Sequence, residues 1–488
     1  MVTSGRLPKE LALLRAKVAS SILRVLRIEG SSMIKITKFG GSSVSSAGQF
    51  KKVKAIVQAD PSRRFVVVSA AGKRDKFDSK ITDLLYLVNA HLQYHVTCDD
   101  LLGTIGQRFC EIAKELNLSY PISQEFGIFR ELAKRGEYTP EYIVSRGEYF
   151  TGRMMAEYLG FPFVDAADVI TFRPDSSIDM DKTAEKLKAA IGEEKCFVLP
   201  GFYGATEDGK IKLLDRGGGD ITGAIVAQCL GADLYENWTD VSGFLTADPR
   251  IVDNPKSISR ITYAELRELS YMGASVLHEE AIFPVKDAGI PLVIKNTNAP
   301  DDPGTVISEE TEPGVAEPLI TGIAGKKDFI AIHVKTNHMS SKVGYIRKTL
   351  SIFERYRVSI EHIPTGIDSF AVVVQGGDVK DCLYSIVADI KSELEPDEIK
   401  IVDRLALIST VGRNMPSRPG TSGRLFGELG HAGINIRMIA QGSEELDIVV
   451  GVDVDDFERA IRVIYGAFVD SDDNIITVEE AEEEATNE

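Results

Sequence analysis

Residues 34–43 read IKITKFGGSS, an alternating apolar run that ends in Lys38, two glycines and two serines. The run predicts a strand, and the glycines predict a turn into a helix. A strand, glycine turn and helix in this order present bare backbone N–H groups to a phosphate. Lys38 adds a positive charge at the same place, and glycine allows close approach. The Walker pattern does not occur here, and a plain tight turn explains the stretch alone equally well.

Composition sets the broad class of the protein. A chain of 488 residues predicts two to four domains, and 43% hydrophobic with 26% charged residues is typical of soluble globular domains. The net charge of −17 argues against a nucleic-acid partner, which would need a basic face. Five scattered cysteines without a CxxC pair indicate a reducing cytoplasm. No apolar run reaches the roughly 18 residues of a membrane span, so no membrane partner is expected.

The first 32 residues form a basic amphipathic pattern of helical spacing. Such a segment is found in organelle transit peptides and in helices that lie on membrane surfaces. The simpler reading, which we favour, is an extension that precedes a core beginning near Met33.

From residue 33 to about 308, short apolar runs alternate with helical patterns. Strands are predicted at 65–69, 195–200 and 290–294, and helices at 83–91 and 221–230. This alternation predicts an α/β fold with a mainly parallel sheet between helices on both faces. Ligands of such sheets bind at the carboxyl ends of the strands, where the glycine loops fall.

The later part of the chain contains a repeat. Turn-rich acidic sequence at 298–318 predicts a domain boundary, and beyond it Gly344 matches Gly420 when the chain is shifted by 76 positions. Each copy reads as a strand, a glycine loop, an amphipathic helix and two strands. We therefore predict an extension at 1–32, a catalytic domain at 33–310, two α+β modules at 319–395 and 400–470, and an acidic tail at 471–488.

Three further motifs could carry chemistry. Residues 214–224 read LDRGGGDITGA, with three glycines between Arg216 and Asp220 directly before a predicted helix, which indicates an anion site at a helix N-terminus. SRGEYFTGRM at 145–154 predicts a helix that opens near Glu148, where the helix dipole alone would favour a carboxylate. WTDV at 238–241 ends an apolar strand, and its tryptophan is expected to pack in the core.

Taken together, these motifs resemble those of the aspartate kinases, the monofunctional branch of the amino-acid kinase family. The motifs that carry the resemblance run in family order over residues 33 to 310: KFGGSS at 38–43, VSAAG at 68–72, KITDLL at 80–85, SRGE at 145–148, GF at 201–202, RGGGD at 216–220, WTDV at 238–241 and TADPR at 246–250. The repeated modules resemble tandem ferredoxin-like ACT domains, which the family uses for feedback control. No dinucleotide fingerprint or further domain follows residue 470, so a fused homoserine dehydrogenase is not expected.

The resemblance implies transfer of the γ-phosphoryl group of MgATP to the β-carboxylate of L-aspartate, the first step toward lysine, threonine and methionine. No general base is needed, because the attacking carboxylate is already ionised. The implied catalytic residues are Lys38, Asp220 and Arg216, and the implied aspartate-binding residues are Ser69, Thr82, Glu148 and Arg216. The implied nucleotide-binding residues are Lys38, Phe39, Gly40, Gly41, Ser42, Gly218, Gly219, Thr239, Asp240, Arg250 and Ser275, with Mg²⁺ arriving with ATP and no side chain assigned to it.

The family also implies an effector site on the first ACT module. An inhibitory end product, lysine or threonine, would bind across a homodimer or homotetramer of these modules. The implied effector residues are Met339, Ser341, Val343, Gly344, Tyr345, Ile360, Glu361, Thr365 and Asp368. The second copy carries a proline pair at the matching loop, so one site in the first copy is the simpler expectation.

Two departures from the family pattern leave alternatives open. Many members have a tyrosine at the position of Leu245 and a lysine at the position of Ser275, and both serve ATP. A non-catalytic amino-acid sensor is therefore one rival, although the main charged residues are intact. Kinases of acetylglutamate, glutamate or UMP are the other rivals, since they share the Lys-Gly-Gly start; SRGE with tandem ACT modules favours aspartate.

Overall fold

The structure is a computed structural model that describes residues 33–192, 195–215, 217–274, 283–309, 317–416, 418–442, 445–470 and 475–476. The predicted extension 1–32, Arg216, Ser275 and most of the predicted tail therefore lie outside the described residues. No helix of the described part is long and apolar enough to cross a membrane.

The first part of the chain alternates strands and helices, as predicted. Its strands are β1 Lys35–Phe39, β2 Phe65–Val68, β3 Thr171–Phe172, β4 Phe197–Pro200, β5 Tyr203–Thr206, β6 Ile211–Leu213, β7 Leu234–Thr239, β8 Arg260–Thr262, β9 Leu292–Asn296 and β10 Thr305–Ser308. Its helices are α1 Ala47–Ala59, α2 Ile81–Gln93, α3 Asp99–Glu115, α4 Ile122–Lys134, α5 Pro140–Leu159, α6 Ala166–Val169, α7 Met180–Ala190, α8 Gly218–Leu230, α9 Tyr263–Tyr271 and α10 Phe283–Asp287.

Seven of these strands form one sheet in the order β4-β2-β1-β7-β9-β10-β8. All neighbouring pairs are parallel except β9 with β10. Successive residues of the central strands face opposite sides, so that Val67 enters one core and Val66 and Val68 enter the other. Burial on both faces explains why these strands are continuous apolar runs. The prediction of a mainly parallel sheet between helices is confirmed.

Helix α5 begins earlier than the sequence suggested. Thr139 caps it and Pro140 is its first residue, so Glu148 lies in its third turn and not at its start. The prediction of a helix opening near Glu148 was therefore wrong, and the helix dipole does not explain this carboxylate. The Ser-Arg-Gly-Glu sequence caused this wrong prediction. It resembles the N-terminal cap of a helix, but the structure buries it inside the helix.

The second part of the chain is an α+β region. Its strands are β11 Glu317–Pro318, β12 Gly322–Lys335, β13 Ser369–Gln375, β14 Glu398–Val411, β15 Met438–Gln441, β16 Asp447–Asp453 and β17 Ile475–Ile476. Its helices are α11 Tyr345–Arg355, α12 Gly376–Val379, α13 Leu383–Leu394, α14 Thr421–His431 and α15 Phe457–Phe468. Five strands form an antiparallel sheet in the order β13-β12-β14-β16-β15.

The two predicted modules share the long central strands of this sheet. The last part of β12 pairs with β13 and the first part of β14, whereas the first part of β12 pairs with the end of β14. The helices α11 and α14 are offset by the 76 positions of the predicted repeat, and Gly344 and Gly420 precede them with φ of 77° and 96°. Glycine is needed there because this left-handed conformation disfavours other residues.

A buried carboxylate joins the two parts of the chain. Glu265 in the first turn of α9 is 0% exposed. It accepts hydrogen bonds from the Thr262 cap at 2.8 and 2.9 Å, from Thr321 Oγ1 at 2.5 Å and from Arg413 Nη1 at 2.6 Å. At the other end of α9, the Tyr271 hydroxyl donates to Glu361 Oε2 at 2.6 Å. The helix thus contacts both modules.

Candidate active site

A cavity of about 1160 Å³ lies at the carboxyl ends of β1, β2, β4 and β7. Parallel strands bring their carboxyl ends to one edge of the sheet, and the turns that follow them meet there. The residues lining the cavity are Lys38, Gly40, Gly41, Ser42, Ser69, Ala70, Gly72, Lys73, Lys80, Thr82, Asp83, Tyr86, Glu148, Phe202, Leu213, Leu214, Asp215, Gly217, Gly218, Gly219, Asp220, Thr239 and Asp240.

Lys38 is fixed by a carboxylate at the start of α8. Its Nζ forms an ion pair with Asp220 Oδ1, and both side chains are largely buried. Asn237 Nδ2 donates to the same oxygen at 2.8 Å, and the Tyr235 hydroxyl donates to the Asp220 carbonyl at 3.0 Å. Asn237 is paired with Lys38 across β7 and β1, which explains why it reaches Asp220. The lysine ammonium is therefore held in one place above the sheet edge.

Glycines bring backbone close to this ammonium. A Cβ at Gly219 would lie 2.7 Å from Ser69 Oγ and 3.4 Å from Lys38 Cε, and one at Gly41 would lie 2.9 Å from the Ala70 carbonyl. Gly217 precedes α8 with φ of 79°. The first amides of a helix have no acceptor within it, and their dipoles favour an anion. The glycine turn and the start of α8 are therefore suited to hold an anion beside Lys38.

Glu148 lies on the wall of the cavity with its side chain almost completely buried at 4% exposure. Burial raises its pKa from 4.5 to about 8, against the opposing effect of backbone hydrogen bonds such as that with Ala70. Its Oε2 has no hydrogen-bond partner among the described residues. A buried carboxyl oxygen that lacks a partner and faces a cavity fits a cationic group of a ligand.

The structure brings most of the predicted site residues together. Those that line the cavity are Lys38, Gly40, Gly41, Ser42, Ser69, Thr82, Glu148, Gly218, Gly219, Asp220, Thr239 and Asp240. Phe39 does not, because its side chain is in the core, stacked on Trp238 at 6.0 Å between ring centroids. Arg250 does not line the cavity either, and its exposed guanidinium forms an ion pair with Asp248 at 2.6 Å. Arg216 and Ser275 lie outside the described residues, so their roles stay predictions.

Several lining residues were missed. Lys73 follows β2 at the sheet edge, and Lys80, Asp83 and Tyr86 come from the start of α2. Position after a strand was a usable signal for Lys73, and KITDLL had already placed Thr82. Asn237 had no such signal, because it acts from beneath the cavity through Asp220.

The sequence left two questions open: whether Leu245 lies at the nucleotide site, and whether any side chains hold a metal ion. Leu245 is 36% exposed, bridges to Ser257 and does not line the cavity. Within the described ranges, no group of three or more histidine, cysteine, aspartate or glutamate side chains is placed to hold a metal ion.

The predicted effector residues form two neighbouring groups. One is the loop before α11, where Met339 and Tyr345 are buried and Val343 is 98% exposed; Ser341 and Gly344 belong to this loop. The other is residues 360–368, in which Ile360, Glu361 and Thr365 run along the outer edge of β13. The Asp368 carbonyl accepts from the Thr336 amide at 2.9 Å, which joins the two groups.

A glycine-lined cavity that holds Lys38 at the edge of a parallel sheet is typical of a phosphate-binding α/β protein, here joined to an α+β region. The model of the amino acid kinase family matches residues 33–296, more than half of the chain. An ACT domain model matches residues 408–468. The chain belongs to the amino acid kinase family.

Its relatives of similar length are aspartokinases. Aspartokinase 3 of Bacillus subtilis (strain 168) is 35% identical over 89% of this chain and 98% of its own length. The crystal structure of Clostridium acetobutylicum aspartate kinase superposes with a TM-score of 0.84 at 47% identity, over 90% of this chain and 100% of that one. Escherichia coli aspartokinase III in complex with aspartate and ADP gives a TM-score of 0.68 at 25% identity, over 89% of this chain and 99% of that one. The same enzyme in complex with lysine and aspartate gives a TM-score of 0.70 at 25% identity, over 90% of this chain and 100% of that one.

Proposed function

We propose that this protein is an ATP-dependent aspartate kinase, which forms 4-phospho-L-aspartate and ADP. The observation that carries the proposal is the cavity itself, which combines an anion site at Lys38 with a buried carboxyl at Glu148. Those two features suit the triphosphate of one substrate and the ammonium group of the other. The aspartokinase relatives, and the neighbour that binds aspartate and ADP, support the choice of substrates.

In this reaction an oxygen of the aspartate β-carboxylate attacks the γ-phosphorus of ATP, and the bond from that phosphorus to the β–γ bridging oxygen breaks, releasing ADP. Lys38 stabilises the charge on the phosphoryl oxygens, together with the amides near Gly41 and Gly219. Asp220 and Asn237 keep the Lys38 ammonium in position. Mg²⁺ would enter with ATP and would help to neutralise its phosphates; Asp220 and Asp240 line the cavity and are the carboxylates that would hold it.

Regulation is the second part of the proposal. The ACT match and the neighbour that binds lysine support feedback inhibition by an end-product amino acid, lysine or threonine, at the first module. We place its carboxylate at the loop before α11 and its ammonium at Glu361 or Asp368. The edge residues 360–365 and the strand β15 leave backbone groups for pairing with another copy, which favours a homodimer or homotetramer. A cytoplasmic location is proposed from the five scattered cysteines, which lack a CxxC pair.

The test is ADP release with MgATP and L-aspartate, alone and with lysine or threonine added. Lys38→Ala should lower kcat by at least about 100-fold, since it removes a charged group that acts on the transferred phosphoryl. The control Lys51→Ala removes an exposed lysine of α1 and should leave kcat unchanged. If the wild type shows no turnover while an amino acid raises its Tm, the protein is a sensor and the proposal is wrong. Turnover with acetylglutamate, glutamate or UMP in place of aspartate would contradict the substrate.

A further inference from the structure

Residues 72–80, here called the 72–80 segment, lie between β2 and α2 and contribute to the lining of the large cavity. The Gly72 amide donates to the Gly41 carbonyl at 2.8 Å, so the segment begins against the glycine turn. It ends directly before the start of α2, which carries Thr82 of the predicted aspartate side. The segment therefore connects the part of the cavity suited to the triphosphate with the part suited to aspartate.

Lys73 and Lys80 add positive charge to the cavity from the two ends of this segment. Both line the cavity, and neither forms an ion pair with any residue in the described ranges. Lys38, in contrast, is paired with Asp220. An ion pair attracts a further anion less strongly than a single charge does. Lys73 directly follows Gly72, which puts it at the phosphate end of the segment, whereas Lys80 is at the aspartate end.

The segment is held by a buried arginine of α3 that does not itself line the cavity. Arg108 is 3% exposed, and its guanidinium donates to the Gly72 carbonyl and to the Ser79 carbonyl, each at 2.6 Å. Its Nη2 also lies 3.5 Å from Asp78 Oδ2. Because these carbonyls lie near the two ends of the segment, one side chain fixes both ends. A planar guanidinium can donate in several directions at once, which a lysine ammonium does less well.

The middle of the segment is a compact turn around Asp78. Its carboxylate accepts from the Arg74 amide at 3.0 Å, from Arg74 Nε at 2.8 Å and from the Ser79 amide at 3.0 Å. Lys76 belongs to this turn but does not line the cavity, and its ammonium lies 5.0 Å from the centroid of the Phe77 ring. The segment thus has one exposed lysine on each side of the question, Lys73 at the cavity and Lys76 away from it.

We propose that Lys73 contacts the γ-phosphoryl group of ATP, and that Arg108 is the positioning residue that holds Lys73 there. This inference rests on the proposed kinase function. The transferred phosphoryl group has to lie between the nucleotide and the aspartate β-carboxylate, and the 72–80 segment connects those two sides of the cavity. The Lys73 ammonium then stabilises negative charge on the phosphoryl oxygens, to which Lys38 contributes while it is also paired with Asp220.

The first test is isothermal titration calorimetry of the full-length protein with MgATP and with MgADP. Lys73→Ala should weaken MgATP binding at least roughly fivefold, because a hydrogen bond between charged groups is lost. MgADP binding should stay within about twofold, because ADP lacks the γ-phosphate. Lys76→Ala is the matched control, since it removes the other exposed lysine of the segment, and should match the wild type with both nucleotides.

Equal weakening of both nucleotides by Lys73→Ala, or equal affinities in the three proteins, overturns the contact with the γ-phosphoryl group. Such a result leaves the kinase function standing if the wild type releases ADP with L-aspartate. A wild type that binds no MgATP would overturn the kinase function together with this inference. If the wild type binds MgATP without turning over aspartate, the choice of acceptor is wrong, and the calorimetric comparison still decides the role of Lys73.

The second test is a double-mutant cycle on kcat/KM for ATP, measured by ADP release. Lys73→Ala and Arg108→Lys should each lower kcat/KM at least roughly tenfold, since Arg108→Lys keeps the charge but cannot hold both carbonyls equally well. If Arg108 acts through Lys73, the double variant should lie within about twofold of the more impaired single variant. A purely structural role would give effects that multiply, and would overturn the positioning role. Lys114→Ala removes an exposed charge from the same helix and should leave kcat/KM unchanged, and urea unfolding curves establish that each variant is folded.

Discussion

Replacement of Glu148 by glutamine should make the protein more stable in alkaline solution. The buried carboxyl has its pKa raised from 4.5 to about 8 in the folded protein. At 1.36 kcal/mol for each pKa unit, this rise corresponds to about 5 kcal/mol between the two protonation states. Glutamine keeps the shape of the side chain but cannot ionise, so Glu148→Gln removes the whole of this effect.

The direction follows from the protons bound in each state. Below pH 4.5 the carboxyl is protonated in both states, so the wild type and Glu148→Gln should be about equally stable. Between pH 4.5 and about 8 the unfolded chain has lost this proton while the folded protein keeps it. The free energy of unfolding of the wild type therefore falls by up to about 1.4 kcal/mol per pH unit relative to the variant. Above pH 8 the difference levels off.

The assay is urea unfolding of both proteins from pH 5 to pH 9, with the transition of the domain that contains α5 followed by fluorescence of the single buried tryptophan, Trp238. Glu141→Gln is the matched control, since Glu141 is only half-buried, in the first turn of the same helix. It should show no pH-dependent difference of this size. A stability gap between wild type and Glu148→Gln that is constant with pH, or larger at acid pH, would refute the reasoning.

The same proton has a consequence for catalysis. If Glu148 receives the aspartate ammonium group, binding requires the carboxylate, so the KM for aspartate should fall roughly tenfold per pH unit between pH 6 and about 8. Initial rates of ADP release over this range measure it. In Glu148→Gln the KM should be high and should lose this pH dependence; a wild-type KM that does not change would place the ammonium elsewhere.

Three other changes test the remaining parts of the arrangement. Gly219→Ala places a methyl group against Ser69 and Lys38, so kcat/KM should fall at least roughly tenfold with an unchanged unfolding curve. If the variant has wild-type kinetics, the close approach of the Gly219 backbone to these side chains is not needed. Arg413→Met leaves the buried Glu265 without its charged partner and should cost about 3 kcal/mol in urea unfolding, so a loss below about 1 kcal/mol would show that the pair is not needed. Tyr271→Phe removes the hydrogen bond to Glu361 and should change the inhibition constant of the effector several-fold with kcat within twofold; an unchanged constant would exclude α9 from regulation.

Much of the catalytic fold was predictable because its signals are local. Parallel strands buried on both faces are continuous apolar runs, and the glycine turns after them mark the sheet edge where the cavity lies. Lys38 and Gly219 could be found in this way from the order of the sequence alone. Asn237 could not, because its contribution is a hydrogen bond to Asp220 that depends on the pairing of β1 with β7, about 200 residues apart.

The long strands that the two regulatory modules share could not be predicted from the sequence for the same reason. A repeat of 76 residues predicts two similar units placed one after the other. The structure instead pairs Gly322 with Val411 and Lys335 with Glu398, so each long strand serves both units. The sequence favours two short strands in succession over one long strand, because charged residues interrupt the apolar pattern at residues 326–328 in β12 and at Asp403 and Arg404 in β14. Only the pairing of distant segments decides between them.

Helix α9, which contacts both regulatory modules, is the element through which a signal would pass between the two parts of the chain. Helix α9 is held at its start by the buried Glu265, whose loss of partners is costly, and at its end by the half-exposed Tyr271, whose contact with Glu361 is easily exchanged. Leu269 and Met272 near this second end are buried in the core, so what an effector can exchange there is the half-exposed hydrogen bond of Tyr271. Glu361 is also a predicted effector contact, and Ser275, a predicted nucleotide residue, follows α9 in the chain after three intervening residues. An effector that takes Glu361 from Tyr271 would therefore act on the nucleotide side through the C-terminal end of α9, whereas the end bound to Glu265 would stay in place.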